Sequence, residues 1–346
     1  MKKKHLISAV AMLLALMLLG LSCGALAEKP TLGLLSYLNM TEEEDESIGL
    51  SARAPMRKLL SIHGVLSDPG SRQPGNDPFF RQYDSLNAML MGLESKEINA
   101  VIVPYSTGRY LCSVNDGLQM ETEYHPENAT KATDWALSRL SDGCSFMMKE
   151  ENTALRNDFD AQISTMKEDG TLQKMIDEHI TKVSEGGEPV GIAFEKFEGD
   201  PIRIAVTGSL PPMDYVAADG TFAGFNTAVL AEIGKRLQKN IELVQVDSVG
   251  RALALSEGTV DVVFWTRGTS ESVAEQDATL KDKEDALAAR AARMQEILAD
   301  EEEDLRNELT NFNQDNIIKN KTRDIPAGTI ITQPYFTDFP VWVVLK

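Results

Sequence analysis

Between Ile202 and Trp265 the sequence alternates strand, helix and strand, and few architectures accommodate that order. IRIAV (202–206), IELVQV (241–246) and VDVVFW (260–265) are short apolar runs of the kind found in sheets covered on both faces. Between the first two, FNTAVLAEIGKRL puts Val229, Leu230, Ile233 and Leu237 on one helical face. Its last turn holds Lys235 and Arg236, where basic groups suit the helix dipole. RALALSEG makes a shorter helix before the third run. A β-α-β-α-β order implies parallel strands joined by right-handed crossovers. The same helix-to-strand step occurs earlier, where SLNAMLMGLESKE leads into INAVIV (98–103), and TLGLLS (31–36) adds a further strand. The predicted fold class is α/β.

The first 27 residues stand apart. Lys2, Lys3 and Lys4 precede an apolar run from Leu6 to Leu21, and Ala25-Leu26-Ala27 supplies small residues at the cleavage positions. This is the pattern of a secretory signal removed before Glu28. The run is short for a membrane span of about 20 residues. Cys23 raises a lipid-anchor alternative, although Gly20 stands where such a signal usually has Leu.

Removing three lysines takes the formal charge from −19 to about −22. So acidic a surface argues against nucleic-acid binding, which needs basic patches. The mature chain of about 319 residues is long enough for two lobes, and a hydrophobic content of 42% supports full cores. An extracytoplasmic location permits a disulfide between Cys112 and Cys144, but two free thiols is the plainer expectation. His63, His125 and His179 show no metal-ligand spacing, so neither metal nor cofactor is expected.

Two segments fall outside the strand–helix alternation. VSEGGEPVGIAFEKFEG (183–199) reads as a connector. Residues 270–311 hold 13 acidic against 5 basic residues and no Gly or Pro. Leu287, Ala291, Met294, Leu298, Leu305 and Leu309 recur there at helical steps, which predicts an amphipathic helical insertion over about 270–320. Its apolar stripe either packs on its own domain or docks a partner.

From residue 211 the chain resembles the extracytoplasmic solute-binding proteins of family 3, the amino-acid-type receptors of ABC importers. Pro211-Pro212-Met213, the Asp219-Gly220 hairpin, Gly224-Phe225-Asn226 and the helix that follows match the start of that family. Pro334-Tyr335-Phe336 resembles its step before the first lobe crossing, and YDSLNAMLMGLESKEINAVIV its second-lobe helix and strand. CSFMMKEENTALRNDFDAQISTMKEDGTLQKMIDEHI, from Cys144 to Ile180, resembles the family's end. The pieces stand in rotated order, with the family's ending joined through 183–199 to its beginning.

A circular permutation or a tandem of two damaged modules gives such an order. The pieces complement one another rather than repeat, which favours permutation. The expected architecture is therefore a two-lobe, type II periplasmic-binding-protein-like fold. Its signal peptide is 1–27, its second lobe 28–145 and its first lobe 146–346, with 144–149 as the only covalent crossing.

The resemblance implies a solute held between lobes, with an Arg on its carboxylate and aromatic groups on its side chain. Trp265, Thr266 and Arg267 end the third strand, where parallel strands point into a cleft. Arg267 offers a two-pronged donor for an anion, and Trp265 a stacking face. The family's T-x-x-R spacing is missing, so Arg267 is a substitute. Met213, Tyr215 and Asn226 fall at or near family contact positions, Met213 doubling as ordinary core. In the second lobe the amino-binding Asp falls on Pro104, leaving the Tyr105 and Ser106 hydroxyls, while Ser36, Tyr37 and Asn39 occupy the donor turn after the first strand. These departures leave an amino acid, another small carboxylate or a partly degenerate pocket as the alternatives.

The function this implies is a monomeric receptor that captures a small solute by hinge closure and delivers it to an ABC permease. A sensor or interaction protein using the acidic insertion is the alternative, and a dehydratase-type enzyme a more distant one. No convergent acid and base groups appear among the cleft candidates, so an enzyme is not expected.

Overall fold

The computed structural model describes residues 31–35, 55–67, 79–217, 219–247, 250–267, 292–311 and 327–346, with backbone alone at 79, 80, 139, 265–267, 310 and 311. The expected signal peptide and Cys23 lie outside the described residues, as does most of 270–320. Among the described residues no helix is long and apolar enough to cross a membrane.

The first half of the chain supplies β1 (Thr31–Leu35), α1 (55–62), β2 (Leu66–Ser67), β3 (Phe79–Tyr83), α2 (Leu86–Glu94) and β4 (Ala100–Pro104). α3 (Tyr105–Val114), β5 (Leu118–Met120), β6 (Glu123–Tyr124) and α4 (Lys131–Leu140) follow. The helices begin where side chains satisfy their free N–H groups. Ser85 Oγ accepts from Ala88 N at 3.2 Å, and Thr130 and Thr133 form a reciprocal capping box. β1 pairs in parallel with both β3 and β4.

Next come β7 (Asp142–Lys149), α5 (Thr153–Glu168) and α6 (Thr171–Ile176), whose helical path continues to Ser184. Gly170, at φ 78°, makes the break between α5 and α6 that a side chain would resist. Residues 186–200 hold no helix or strand, in keeping with a connector.

The strand–helix series then appears as β8 (Ile202–Val206), β9 (Ser209–Leu210), β10 (Asp214–Val216), β11 (Phe222–Ala223), α7 (Phe225–Leu237), β12 (Ile241–Gln245), α8 (Gly250–Ser256) and β13 (Val262–Arg267). β12 and β13 lie parallel to β8 on its two sides. The chain ends with α9 (292–297), α10 (Glu303–Asn311), β14 (Thr329–Ile331), β15 (Phe336–Asp338) and β16 (Pro340–Leu345).

The strands form two main sheets, ordered β3-β1-β4-β16-β5 and β12-β8-β13-β7-β14, with β15 also on β7. The fold is α/β, as the strand–helix alternation predicts. The expected boundary needs correction on two points. β16 does not stay with the strands of 146–331 but lies between β4 and β5 in the other sheet. β7 begins in the second sheet at Asp142. The chain therefore passes between the sheets twice, near 140–142 and at 338–340, rather than once at 144–149. The physical reason is that Val341, Trp342 and Val343 form a run apolar enough for either sheet, and β4 offers it an open hydrogen-bonding edge.

Candidate functional site

Strand direction defines the site. Parallel strands of α/β sheets present their C-terminal ends to ligand crevices. In the first sheet those ends are Leu35, Tyr83 and Pro104; in the second they are Val206, Gln245 and Arg267. Both passages lie at these ends, because Pro340 pairs with Pro104 while Cys144 pairs with Arg267 and with Phe336. Asp142–Cys144 and Asp338–Pro340 thus run between the two sheets at these ends.

There Asp338 meets the start of α3. The helix begins after Pro104, which offers no capping side chain. Asp338, 232 residues away in sequence, takes that role: its carboxylate accepts from Ser106 N at 2.9 Å and from Phe339 N at 2.9 Å. The surrounding protein pushes its pKa up to about 6, against the opposing pull of those donors. Asp338 nevertheless keeps part of its surface accessible. Beside it Tyr105 stacks on Phe339 with ring centroids 4.9 Å apart, and Tyr124 meets both rings edge-on. The Ser106 and Thr107 hydroxyl oxygens are buried without hydrogen-bond partners.

On the second sheet the turn after β8 wraps a buried carboxylate. Asp214 Oδ2 accepts from Thr207 N at 3.1 Å, Thr207 Oγ1 at 2.8 Å and Gly208 N at 2.8 Å, while Oδ1 has no partner. Burial raises its pKa to about 6 despite these three donors. Nearby, Tyr335 donates its hydroxyl to Asn226 Oδ1 at 2.8 Å, and Asn226 Nδ2 is left without a partner. Burial, together with Cys144 and Asp214 nearby, holds the Tyr335 phenol well above its usual range. Tyr335→Phe strands both ends of the Asn226 amide and is expected to lower stability by about 1–3 kcal/mol. Chemical denaturation measures this, and a loss under about 0.5 kcal/mol contradicts the assignment.

The predicted site residues divide into three groups. Trp265, Thr266 and Arg267 end β13, Thr266 opposite Ser145 and Arg267 opposite Cys144, but their side chains lie outside the description, as do Ser36, Tyr37 and Asn39 entirely. Tyr215 is half-buried on β10, its pKa raised to about 12 by burial and by the phenol of Tyr110 from α3, a residue of the facing sheet's unit. Met213 and Asn226 are 1% and 0% exposed and belong to the packed interior, while Tyr105 stacks on Phe339. Cys112 and Cys144 are free thiols.

Sequence reasoning missed Asp338, Asp214 and the Thr107 hydroxyl, while it named Ser106 beside Tyr105. Asp214 carried a usable signal, a charge between Met213 and Tyr215 in an otherwise apolar segment. Asp338 carried none. Among the described residues no group of His, Cys, Asp and Glu is placed to hold a metal ion.

Residues 202–324 match the family of bacterial extracellular solute-binding proteins, family 3. A comparison with curated protein sequences gave no match. Among solved structures, the chain is similar to a zinc-bound ligand-binding component of an ABC-type import system from Staphylococcus aureus. The identity is 11% and the TM-score 0.32, over 88% of this chain and 85% of that one. A putative L-cystine ABC transporter from Listeria monocytogenes is 9% identical over 92% and 82% of the two chains, with a TM-score of 0.33. The periplasmic aliphatic sulphonate binding protein of Escherichia coli is 10% identical over 88% and 85%, with a TM-score of 0.29. Likenesses this slight carry no argument; the family match does.

Proposed function

We propose, from the family 3 solute-binding segment at 202–324, that the chain is an extracytoplasmic receptor that captures a small solute between two lobes and passes it to an ABC permease. The observation that carries this reading is where the match falls. It covers the parallel strands β8, β12 and β13, whose C-terminal ends lie where the chain passes between the two sheets. Two passages at one end of both sheets is the arrangement that lets two bodies hinge on a bound molecule.

The solute we infer is an amino acid or another small carboxylate. Arg267, ending β13, would take its anion and Trp265 its apolar part, and the chain acts as a monomer without catalysis. Asp338 brings a carboxylate to the start of α3, beside Pro104, and so supplies negative charge where Pro104 has none. The rotated order of the chain is read as a circular permutation. β1 and β16 flank β4 in one sheet, so both described ends of the chain lie in the same unit, as closely placed ends make tolerable.

A thermal-shift screen of the chain from Glu28 onward against amino acids and small carboxylates tests the proposal. A ligand at 100 times its Kd stabilises a fold by about 2.7 kcal/mol, a readily measured rise in Tm. The expected result is a hit that Arg267→Ala abolishes. A panel without a hit, or a hit indifferent to Arg267→Ala, overturns the anion-clamp assignment.

A further inference from the structure

α3 touches both units of the molecule, with a different face on each. Gly108 faces the first sheet: a Cβ there would meet Val341 Cγ2 at 2.8 Å and Met120 Sδ at 3.1 Å, and the helix packs on both β16 and β5. Ser106, Arg109 and Tyr110, at steps of three and four, share the opposite side. Ser106 O accepts from Ser184 Oγ at 3.3 Å, and Arg109 Nη2 donates to Glu185 Oε1 at 3.2 Å. Tyr110 lies close enough to Tyr215 of β10 to help burial raise that phenol's pKa to about 12. Ser184 and Glu185 belong to the unit built on the second sheet. They end the helical path of α6, which packs along α7, and α7 packs on β12. Arg236 of α7 fixes the start of that path, donating to Asp169 Oδ2 at 2.9 Å and Thr171 Oγ1 at 3.0 Å. Glu185 N still donates to Thr181 O at 3.1 Å, so Glu185 is carried on a helical turn. Arg109 is steadied by its own unit: its guanidinium carbon lies 5.9 Å from the centroid of the Tyr105 ring, which stacks on Phe339.

We propose that the Ser106–Arg109–Tyr110 side of α3 is the surface on which the two units seat against each other, and that Arg109 and Glu185 form the catch that holds them seated. The catch rests on the two-lobe receptor reading only for the motion it restrains. Contact along the helix is graded. Ser106 is gripped from the second unit at both backbone atoms, its N–H by Asp338 at 2.9 Å and its carbonyl by Ser184, beside the passage at 338–340. Arg109 and Tyr110 lie a turn further along the helix, so a rotation about that passage moves them more. The Arg109 and Glu185 side chains are 32% and 56% exposed, where an ion pair adds little to fold stability. It acts instead on which of two arrangements is populated, because only the seated one contains it.

The test is a distance measurement between spin labels on the two units, at Glu94→Cys on α2 and Lys239→Cys after α7, both exposed, in the full chain carrying Cys23→Ser and Cys112→Ser. Cys144 is buried and takes no label. Arg109→Glu sets two like charges against each other and is expected to raise the share of longer distances several-fold, with Tm close to the parent's. Adding Glu185→Arg restores the opposite charges and with them the original distribution. A folded Arg109→Glu protein with the parent's distribution, or a shift that Glu185→Arg does not reverse, overturns the catch. Should Arg109→Glu fail to fold, Glu185→Arg alone and the charge-swapped pair carry the same test, because Glu185 is the more exposed partner. The distance is read without any solute. A catch that fails therefore leaves solute binding standing, and a panel without a hit leaves the catch standing.

Discussion

Asp214→Asn leaves the fold as stable as the parent at about pH 4 and more stable by up to about 3 kcal/mol at about pH 8. The expectation follows from the sign of the pKa shift. The carboxyl sits at 3.8 when unfolded and at about 6 when buried, so the folded state holds the proton more tightly. The stability this confers is fully present below the unfolded pKa and is lost as pH rises from about 4 through about 6. Asn imitates the protonated acid: its oxygen accepts from Thr207 N, Thr207 Oγ1 and Gly208 N, and its amide takes the place of Oδ1, which has no partner to lose. Asp214→Ala removes the acceptor from three donors at once and is expected to cost about 3–5 kcal/mol at about pH 4, a cost that shrinks as pH rises through about 6 because the parent itself loses stability there. Urea denaturation of the three proteins across this pH range reads both effects. A parent-minus-Asn difference flat with pH would show that the carboxylate is not strained by burial.

The second large effect belongs to Gly224. Its φ of 104° and ψ of 173° lie where only glycine is comfortable. A Cβ there would meet Met213 O at 2.6 Å and Pro212 O at 2.8 Å, backbone atoms that cannot swing aside. Those same carbonyls hold α7 in place, accepting from Asn226 N at 2.9 Å and Phe225 N at 3.1 Å. Gly224→Ala therefore strains its own backbone and pries the helix off the Pro211–Met213 turn, with an expected loss of about 3 kcal/mol or more. Because Asn226 and Tyr335 hang on this junction, solute binding should fall with stability. A Tm within a degree or two of the parent would contradict this account.

What could be read from the residues was decided by local pattern. Val229, Leu230 and Ile233 announced α7 because an amphipathic helix writes its period into the sequence, and the apolar runs at 202–206 and 262–265 announced parallel strands for the same reason. The assignment of β16 could not be read, because Val341, Trp342 and Val343 would suit either sheet; only the edge left open by β4 decides. Asp338 was invisible for a related reason: its partner, Ser106, is remote in sequence, and an Asp before Phe-Pro looks like any surface turn. The stripe of Met294, Leu298, Leu305 and Leu309 was legible as a helix face, yet the identity of its cover was not. The polar contacts beside it come from His63 and Lys58, single residues without a motif. On the side of the second sheet the strand ending at Arg267 was thus legible. On the other side the groups come from chain passages that only the fold brings together.

The most direct measurement of the central claim is native mass spectrometry of the chain from Glu28 onward after incubation with the panel of amino acids and small carboxylates. The account predicts a one-to-one complex with a small solute, released on unfolding and absent from Arg267→Ala. A protein that remains free across the whole panel would contradict it.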